Sequence, residues 1–381
     1  MTRKATQDNA YTIKTKSPRH SAHEINRDSG YDKPHGETTG KSHAEMQCET
    51  TGKSHGQTHC ETTGKSHGQT HGTVTVFYAC DDRYIPYLSV SLRSLIENSD
   101  GQTDYDVIIL HSGVSAANKA AIRGLATENV KVRFADVSDR LRPLAARLSL
   151  RDYYSLSIYY RIFIPSLFPE KKKAVYLDSD TVVLSDIAEL YRTELCGKMV
   201  AAVSDAVVAS EDVFIRYAEE GVGVPYRRYF NSGVMVMDLE EMRRQDVQGS
   251  FTRLLSTYHF NTICPDQDYL NVICRGKVLY LGSEWNKMSV DDSPCGRLRL
   301  VHYNMFFKPW YYSDVRYQEH FWHYAARSPF YSRLLSERGR FGEEERRRDA
   351  AAGENLRAAA TAIIGDAANF RRVLAEGEAT V

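Results

Sequence analysis

From Thr73 onward the chain alternates between short apolar runs and amphipathic stretches. The segment TVTVFYAC carries β-branched and aromatic residues with no charged interruption, which predicts a buried strand over residues 73–79. The next segment, YIPYLSVSLRSLIEN, repeats its apolar positions through Leu88, Leu92 and Leu95, the spacing of one helical face. The same pair of signals then recurs, as a strand in DVIILHS, a helix in AANKAAIRGLATEN and a strand in VKVRFADV. A further buried strand is predicted over residues 174–177, inside KKKAVYLDSDTVVLSDIAELY. Strands alternating with helices imply an α/β fold whose mixed, mostly parallel sheet is flanked by helices.

Residues 1–72 break the pattern. They contain two Ile and no Val, Leu, Phe or Trp, too little apolar surface to offset the entropy of ordering, so this tail is expected to be disordered. Within it a 12-residue unit recurs in tandem, as ETTGKSHAEMQC from Glu37, ETTGKSHGQTHC from Glu49 and ETTGKSHGQTHG from Glu61. The array is of low complexity and too polar for a solenoid. Its TGKS resembles a phosphate-binding loop, but that motif needs a glycine five residues before the Gly-Lys pair. Those places hold His35, Gln47 and His59. The side chains of His43, Cys48, His55, His59, Cys60, His67 and His71 could take zinc or nickel. Weak capture by a flexible tail without any function is the preferred reading.

Charge and cysteine content narrow the remaining choices. The 49 basic and 49 acidic residues balance, which argues against a nucleic-acid partner and for small-molecule chemistry. Apolar runs such as MVAAV fall far short of the roughly 18 residues a membrane-spanning helix needs. No apolar segment follows the basic N-terminus, and the seven cysteines form no short-range framework. A cytoplasmic protein with reduced thiols is expected. The order of segments divides the chain into the tail (1–72), one catalytic domain (73–312) and a helical C-terminal extension (313–381). The acidic run Glu343 to Glu345 dilutes the extension's basic cluster, so a solvated helical face is expected, with peripheral contact at the cytoplasmic membrane face as the alternative.

The most informative chemistry lies at the end of the predicted 174–177 strand, where Asp178 and Asp180 are spaced by two in extended chain. Such a pair faces one way, at the sheet edge where open α/β folds bind ligands. Two hard oxygens there suit Mg²⁺ or Mn²⁺ carrying a diphosphate. The plain alternative is a pair of turn-forming aspartates. Nearby Asp186 with Glu189 looks like a helix N-cap and capping box.

The segments VFYACDDRY, LSIYYRIFIPSLFP, the DSD run, YFNSGVMVMDL, CPDQDYLN and HYNMFFKPW follow one another in the order found in family 8 glycosyltransferases, which the chain resembles from about Thr73 to Trp310. The nearest likeness is to bacterial lipooligosaccharide and lipopolysaccharide α-galactosyltransferases and to general stress protein A, with glycogenin more distant. The resemblance implies a GT-A type domain and a retaining, metal-dependent transferase. It implies transfer of galactose or glucose from a UDP-sugar to a saccharide, lipid-linked saccharide or protein acceptor. By the same resemblance Asp178, Asp180 and His302 match the ligands of a Mn²⁺ ion, and Lys308 matches the lysine beside the donor diphosphate. Asp81, Asp82 and Tyr84 match the uridine-binding turn, although Arg83 stands where the nearest relatives often carry Asn. Arg161, Asp205, Asn231, Asp266 and Gln267 match sugar-site positions, with Gln267 beneath the anomeric carbon. Met305 stands where close relatives carry glycine.

An amide at the nucleophile position is a poor fit to double displacement. Front-face transfer is therefore favoured, with the leaving phosphate oxygen taking the acceptor proton; Asp268 is the alternative, as a covalent nucleophile. Two other functions compete: a nucleotidyltransferase acting on sugar phosphates, which would need a glycine-rich loop in place of ACDDRY, and a non-catalytic nucleotide-sugar or metal-binding module.

Overall fold

In the computed structural model residues 72–145, 148 and 155–375 are described. The predicted disordered tail, its repeats and its His/Cys cluster lie outside them. The strands are β1 (Val74–Ala79), β2 (Tyr105–His111), β3 (Val130–Asp136), β4 (Lys173–Leu177), β5 (Thr181–Val183), β6 (Val200–Ser204), β7 (Phe230–Asp238), β8 (Val278–Tyr280), β9 (Lys287–Met288) and β10 (Leu300–His302).

Seven strands form the main sheet in the order β3-β2-β1-β4-β7-β6-β8. All run the same way except β7, which is antiparallel to both β4 and β6. The apolar runs are explained by burial on both faces. In β1, Phe77 and Ala79 face one core while Val74, Val76 and Tyr78 face the other, the two-residue alternation of a pleated strand. The expected α/β architecture, mixed and mostly parallel, is the one observed.

The topology gathers chain from distant places at one edge. Parallel β1 and β4 end there, delivering Asp81 and Asp178, and β6 ends there, delivering Asp205. Reversed β7 begins there, so Asn231, Ser232 and Gly233 arrive from the opposite direction. A second sheet, β5-β10-β9, pairs His302 with Thr181 and sets the imidazole beside Asp180. Tyr303 N–H donates to the Asp180 carbonyl at 3.0 Å, which extends that pairing by one step.

Asp186 caps the helix Ile187–Tyr191, accepting from Ala188 N–H at 2.8 Å. The expected capping-box partner Glu189 instead pairs with Arg299. The stretch around Glu343 to Arg348 is largely exposed, as a solvated helical face requires, while the rest of the C-terminal region packs against the domain. The helix Glu343–Gly365 buries Ala360 and Ile363 in the core, and Arg357 pairs with Glu211. Among the described residues no helix is long and apolar enough to cross a membrane. Cys80, Cys196, Cys264, Cys274 and Cys295 form no disulfide.

Candidate active site

Asp178, Asp180 and His302 each offer a ligand atom, and these atoms lie within 4.8 Å of one another. His302 Nε2 is 3.2 Å from Asp180 Oδ1 and 3.8 Å from Asp178 Oδ2. The other ring nitrogen, Nδ1, lies 3.0 Å from Asn286 Oδ1, a carbonyl acceptor that fixes the proton there and leaves the Nε2 lone pair facing the carboxylates. Two carboxylate oxygens and one imidazole nitrogen are a donor set that fits Mn²⁺ or Mg²⁺. The backbone makes room for it at Gly233, where a Cβ would stand 2.3 Å from His302 Cε1 and 2.5 Å from Asp178 Oδ2.

The carboxylates are balanced by two buried cations. Lys308 Nζ donates to Asp180 Oδ2 and to the Tyr303 carbonyl. Burial pushes the Asp180 carboxyl up, but Lys308 and His302 outweigh it and hold it well below the usual carboxylate range. Arg161 reaches Asp178 at 2.8 Å, the Ser232 carbonyl at 2.7 Å and Asp266 at 3.1 Å. Its burial lowers its pKa, yet the flanking Asp178 and Asp266 raise it further, so the guanidinium stays charged. Burial pushes Asp266 up despite that arginine.

A single hydrogen-bond network joins these groups to Asp205, Asn231 and Gln267, the remaining positions expected at the sugar site. Asn231 Nδ2 and Gln267 Nε2 both donate to Asp205 Oδ2 at 2.9 Å. Gln267 Oε1 accepts from Ser232 N–H at 2.9 Å, and Ser232 Oγ donates to Asp266 at 3.0 Å. Asn286 closes the circuit, donating to Asn231 Oδ1 at 3.0 Å. The other Asp205 oxygen accepts from Val207 and Val208 N–H, so this carboxylate is occupied by the protein itself and positions its neighbours.

The structure separates residues that are adjacent in the sequence. Asp81 closes the turn after β1, accepting from Arg83 and Tyr84 N–H, and with Tyr84 it lines the same cavity as Asp178, Asp180 and His302. Asp82 does not line it; its Oδ1 accepts from Ser115 N–H and the Asn118 amide, both at 2.8 Å, and so fastens the turn to the helix Ala116–Arg123. The Ser115 N–H holds its pKa down. Asp268 is buried in the core, taking the hydroxyls of Tyr217 and Tyr229 at 2.7 and 2.6 Å, away from the cavity that Asp266 and Gln267 line. This placement argues against Asp268 as a covalent nucleophile. Met305 has the left-handed φ of +58° that a glycine would take without cost, and it lines the cavity.

Sequence reasoning missed Asn286, Ser232, Gly233 and Tyr176, whose hydroxyl donates to Asp178 at 2.9 Å. The NSG run beside Asn231 carried a signal for two of them, since a small residue and a glycine at a sheet edge mark close approach. For Asn286 there was none. The cavity has a volume of about 1270 Å³, and part of its wall comes from the C-terminal region, through Arg340, Phe341, Asp349, Ala352 and Asn355.

Comparison with known proteins agrees with this geometry. The family model described as glycosyl transferase family 8 matches residues 75–314. General stress protein A of Bacillus subtilis is 26% identical over 268 residues, covering 65% of this chain and 91% of that protein. The lipopolysaccharide 1,2-glucosyltransferase of Escherichia coli K12 is 26% identical over 265 residues, covering 64% of this chain and 76% of its own. Among solved structures, the galactosyltransferase LgtC in complex with donor and acceptor sugar analogs superposes with a TM-score of 0.57 at 25% identity, covering 67% of this chain and 96% of LgtC.

Proposed function

The chain belongs to glycosyl transferase family 8, and from that membership we propose that it transfers a hexose, galactose or glucose, from a UDP-sugar to a saccharide-bearing acceptor with retention of configuration. The observation that carries this reading is the convergence of Asp178, Asp180 and His302 at one sheet edge, with ligand atoms within 4.8 Å. Bound there, Mn²⁺ or Mg²⁺ would supply Lewis-acid neutralisation of the departing diphosphate. Lys308, already against Asp180, adds a positive charge on the same side. Arg161 holds Asp178 and Asp266 in fixed orientation through its planar fork.

Gln267 has both ends of its amide engaged, by Ser232 N–H and Asp205, which orients its dipole and suits electrostatic support of a cationic sugar better than covalent attack. Front-face transfer follows, with the C1–O bond to phosphate breaking as the acceptor oxygen bonds C1 and its proton passes to the leaving phosphate. Tyr84 and the Asp81 turn, which line the same cavity as the cluster, would hold the uracil and ribose. Because the Escherichia coli relative is a lipopolysaccharide glucosyltransferase and LgtC a galactosyltransferase, a lipid-linked saccharide is the acceptor class we favour.

The test is Asp180→Asn, which removes a ligand charge with little change of shape. Release of UDP from UDP-galactose and UDP-glucose, with Mn²⁺ and with chelator, should fall by about 10²- to 10³-fold. Turnover equal to wild type would sink the metal assignment.

A further inference from the structure

The cavity's volume of about 1270 Å³ exceeds the roughly 300–1,000 Å³ that one small-molecule ligand fills. A donor seated on the Asp178–Asp180–His302 cluster therefore leaves room for a second substrate. Part of the wall is one stripe of the helix Glu343–Gly365, on which Glu345, Arg348, Asp349, Ala352, Asn355 and Leu356 recur at helical spacing and all line the cavity.

The helix is fixed rather than hinged. Asp349 accepts from the Tyr312 hydroxyl at 2.8 Å, and Tyr312 follows directly on the Lys308 loop. Arg357 makes hydrogen bonds of 2.7 and 2.9 Å to Glu211, just beyond the Asp205 turn. The helix thus bridges the segment after Lys308 and the segment after Asp205, and beyond that bridge Ala360 and Ile363 anchor it in the core.

Between the two anchors the stripe is open and polar. Ala351 and Ala352 put no bulk into the cavity. The Asn355 side chain lines it with no hydrogen-bond partner among the described residues, and a primary amide offers two donors and an acceptor, the complement of neighbouring sugar hydroxyls. The stripe lies wholly outside residues 75–314, the segment the family model matches.

We propose that the stripe centred on Ala352 and Asn355 is the acceptor-side wall of the cavity and selects the terminal hexose of a saccharide acceptor. The proposal rests on the transferase reading above. Small residues set how far a sugar ring can enter, and Asn355 reads the hydroxyls that the entering face presents.

The full-length protein and its Ala352→Trp, Asn355→Ala and Ala358→Trp variants would be assayed with UDP-galactose and UDP-glucose in Mn²⁺. The acceptors are lactose, maltose, cellobiose and N-acetyllactosamine, and both UDP and the mass of the extended saccharide are followed. Ala358 is exposed and does not line the cavity. In Ala352→Trp and Asn355→Ala the ratio of kcat/KM between the two best acceptors should shift by about tenfold, the discrimination a single pocket contact supplies. In Ala358→Trp it should stay as in wild type. Unchanged ratios in both lining variants overturn the proposal, because damage to folding lowers all acceptors alike. A wild type that releases UDP into water yet extends none of the four sugars also overturns it. A wild type that neither binds nor cleaves a UDP-sugar sinks the transferase reading and this proposal together.

Discussion

His302 Nδ1 lies 3.0 Å from the side-chain oxygen of Asn286, so the imidazole that completes the Asp178–Asp180 cluster is oriented by a residue from a different segment. Asn286 in turn donates to Asn231, which ties the imidazole to the network around Asp205 and Gln267. Removing that carbonyl frees the ring to rotate and to change tautomer. Asn286→Ala should weaken Mn²⁺ binding by about 10- to 100-fold, measured by titration calorimetry, with the far-UV circular dichroism of wild type. Unaltered metal affinity would show that His302 is held by other means.

Gly233 is set by close approach, since it has no left-handed backbone angle to explain it. Its missing Cβ would fall 2.3 Å from His302 and 2.5 Å from Asp178. Gly233→Ala should therefore displace both ligands by a fraction of an ångström and cost about 10²-fold in metal-dependent turnover. Full turnover in that variant would mean that the cluster tolerates a shift its geometry forbids.

Arg161 is buried between Asp178 and Asp266 and also holds the Ser232 carbonyl. Truncation leaves two carboxylates without their counter-charge. Arg161→Met should lower stability by about 3 to 5 kcal/mol in urea unfolding, whereas Arg161→Lys should lose less stability but forfeit the fork that holds both carboxylates. Equal stability of the Met variant and wild type would contradict the assignment of this ion pair.

Asp268 gives a pH prediction of defined sign. Burial raises its carboxyl to about 7, against hydrogen bonds from Tyr229, Tyr217 and Cys264 N–H that lower it. Its folded pKa therefore lies above the unfolded value, so the native state binds the extra proton and this group's contribution to stability falls as pH rises from about 4 to about 7. Asp268→Asn resembles the protonated form at every pH. The Tm of wild type relative to Asp268→Asn should decline across that window and level off above it. A difference that is flat in pH would place an ordinary carboxyl at this position.

Much of the architecture was legible in the sequence, because periodicity is a local property. A strand buried on both faces needs an unbroken apolar run, so VTVFYA and KAVYL announced themselves. The carboxylates of the DSD run had to follow the second of these strands. The order of six short segments carried the family, and with it an expectation for the metal ligands. Direction was a different matter. Asp81 and Asp82 are neighbours, yet one lines the cavity and the other is tied to Ser115 and Asn118, 33 and 36 residues on. Gln267 and Asp268 are neighbours on one helix, and the helical turn of about 100° per residue sends the first to the site and the second into the core.

What the sequence determined by itself was therefore the set of elements, the sheet class and the presence of a paired carboxylate at a strand end. Tertiary structure alone decided which distant groups share the cavity. The reversal of β7 brings Asn231, Ser232 and Gly233 to the edge where β1, β4 and β6 end, and the β5–β10 pairing places His302 beside Asp180. Asn286 and the helix Glu343–Gly365 joined the site through contacts across long stretches of chain. Spacing along a chain fixes which face a side chain takes on its own element, while its partner is chosen by how whole elements pack, and that choice is written in no local pattern.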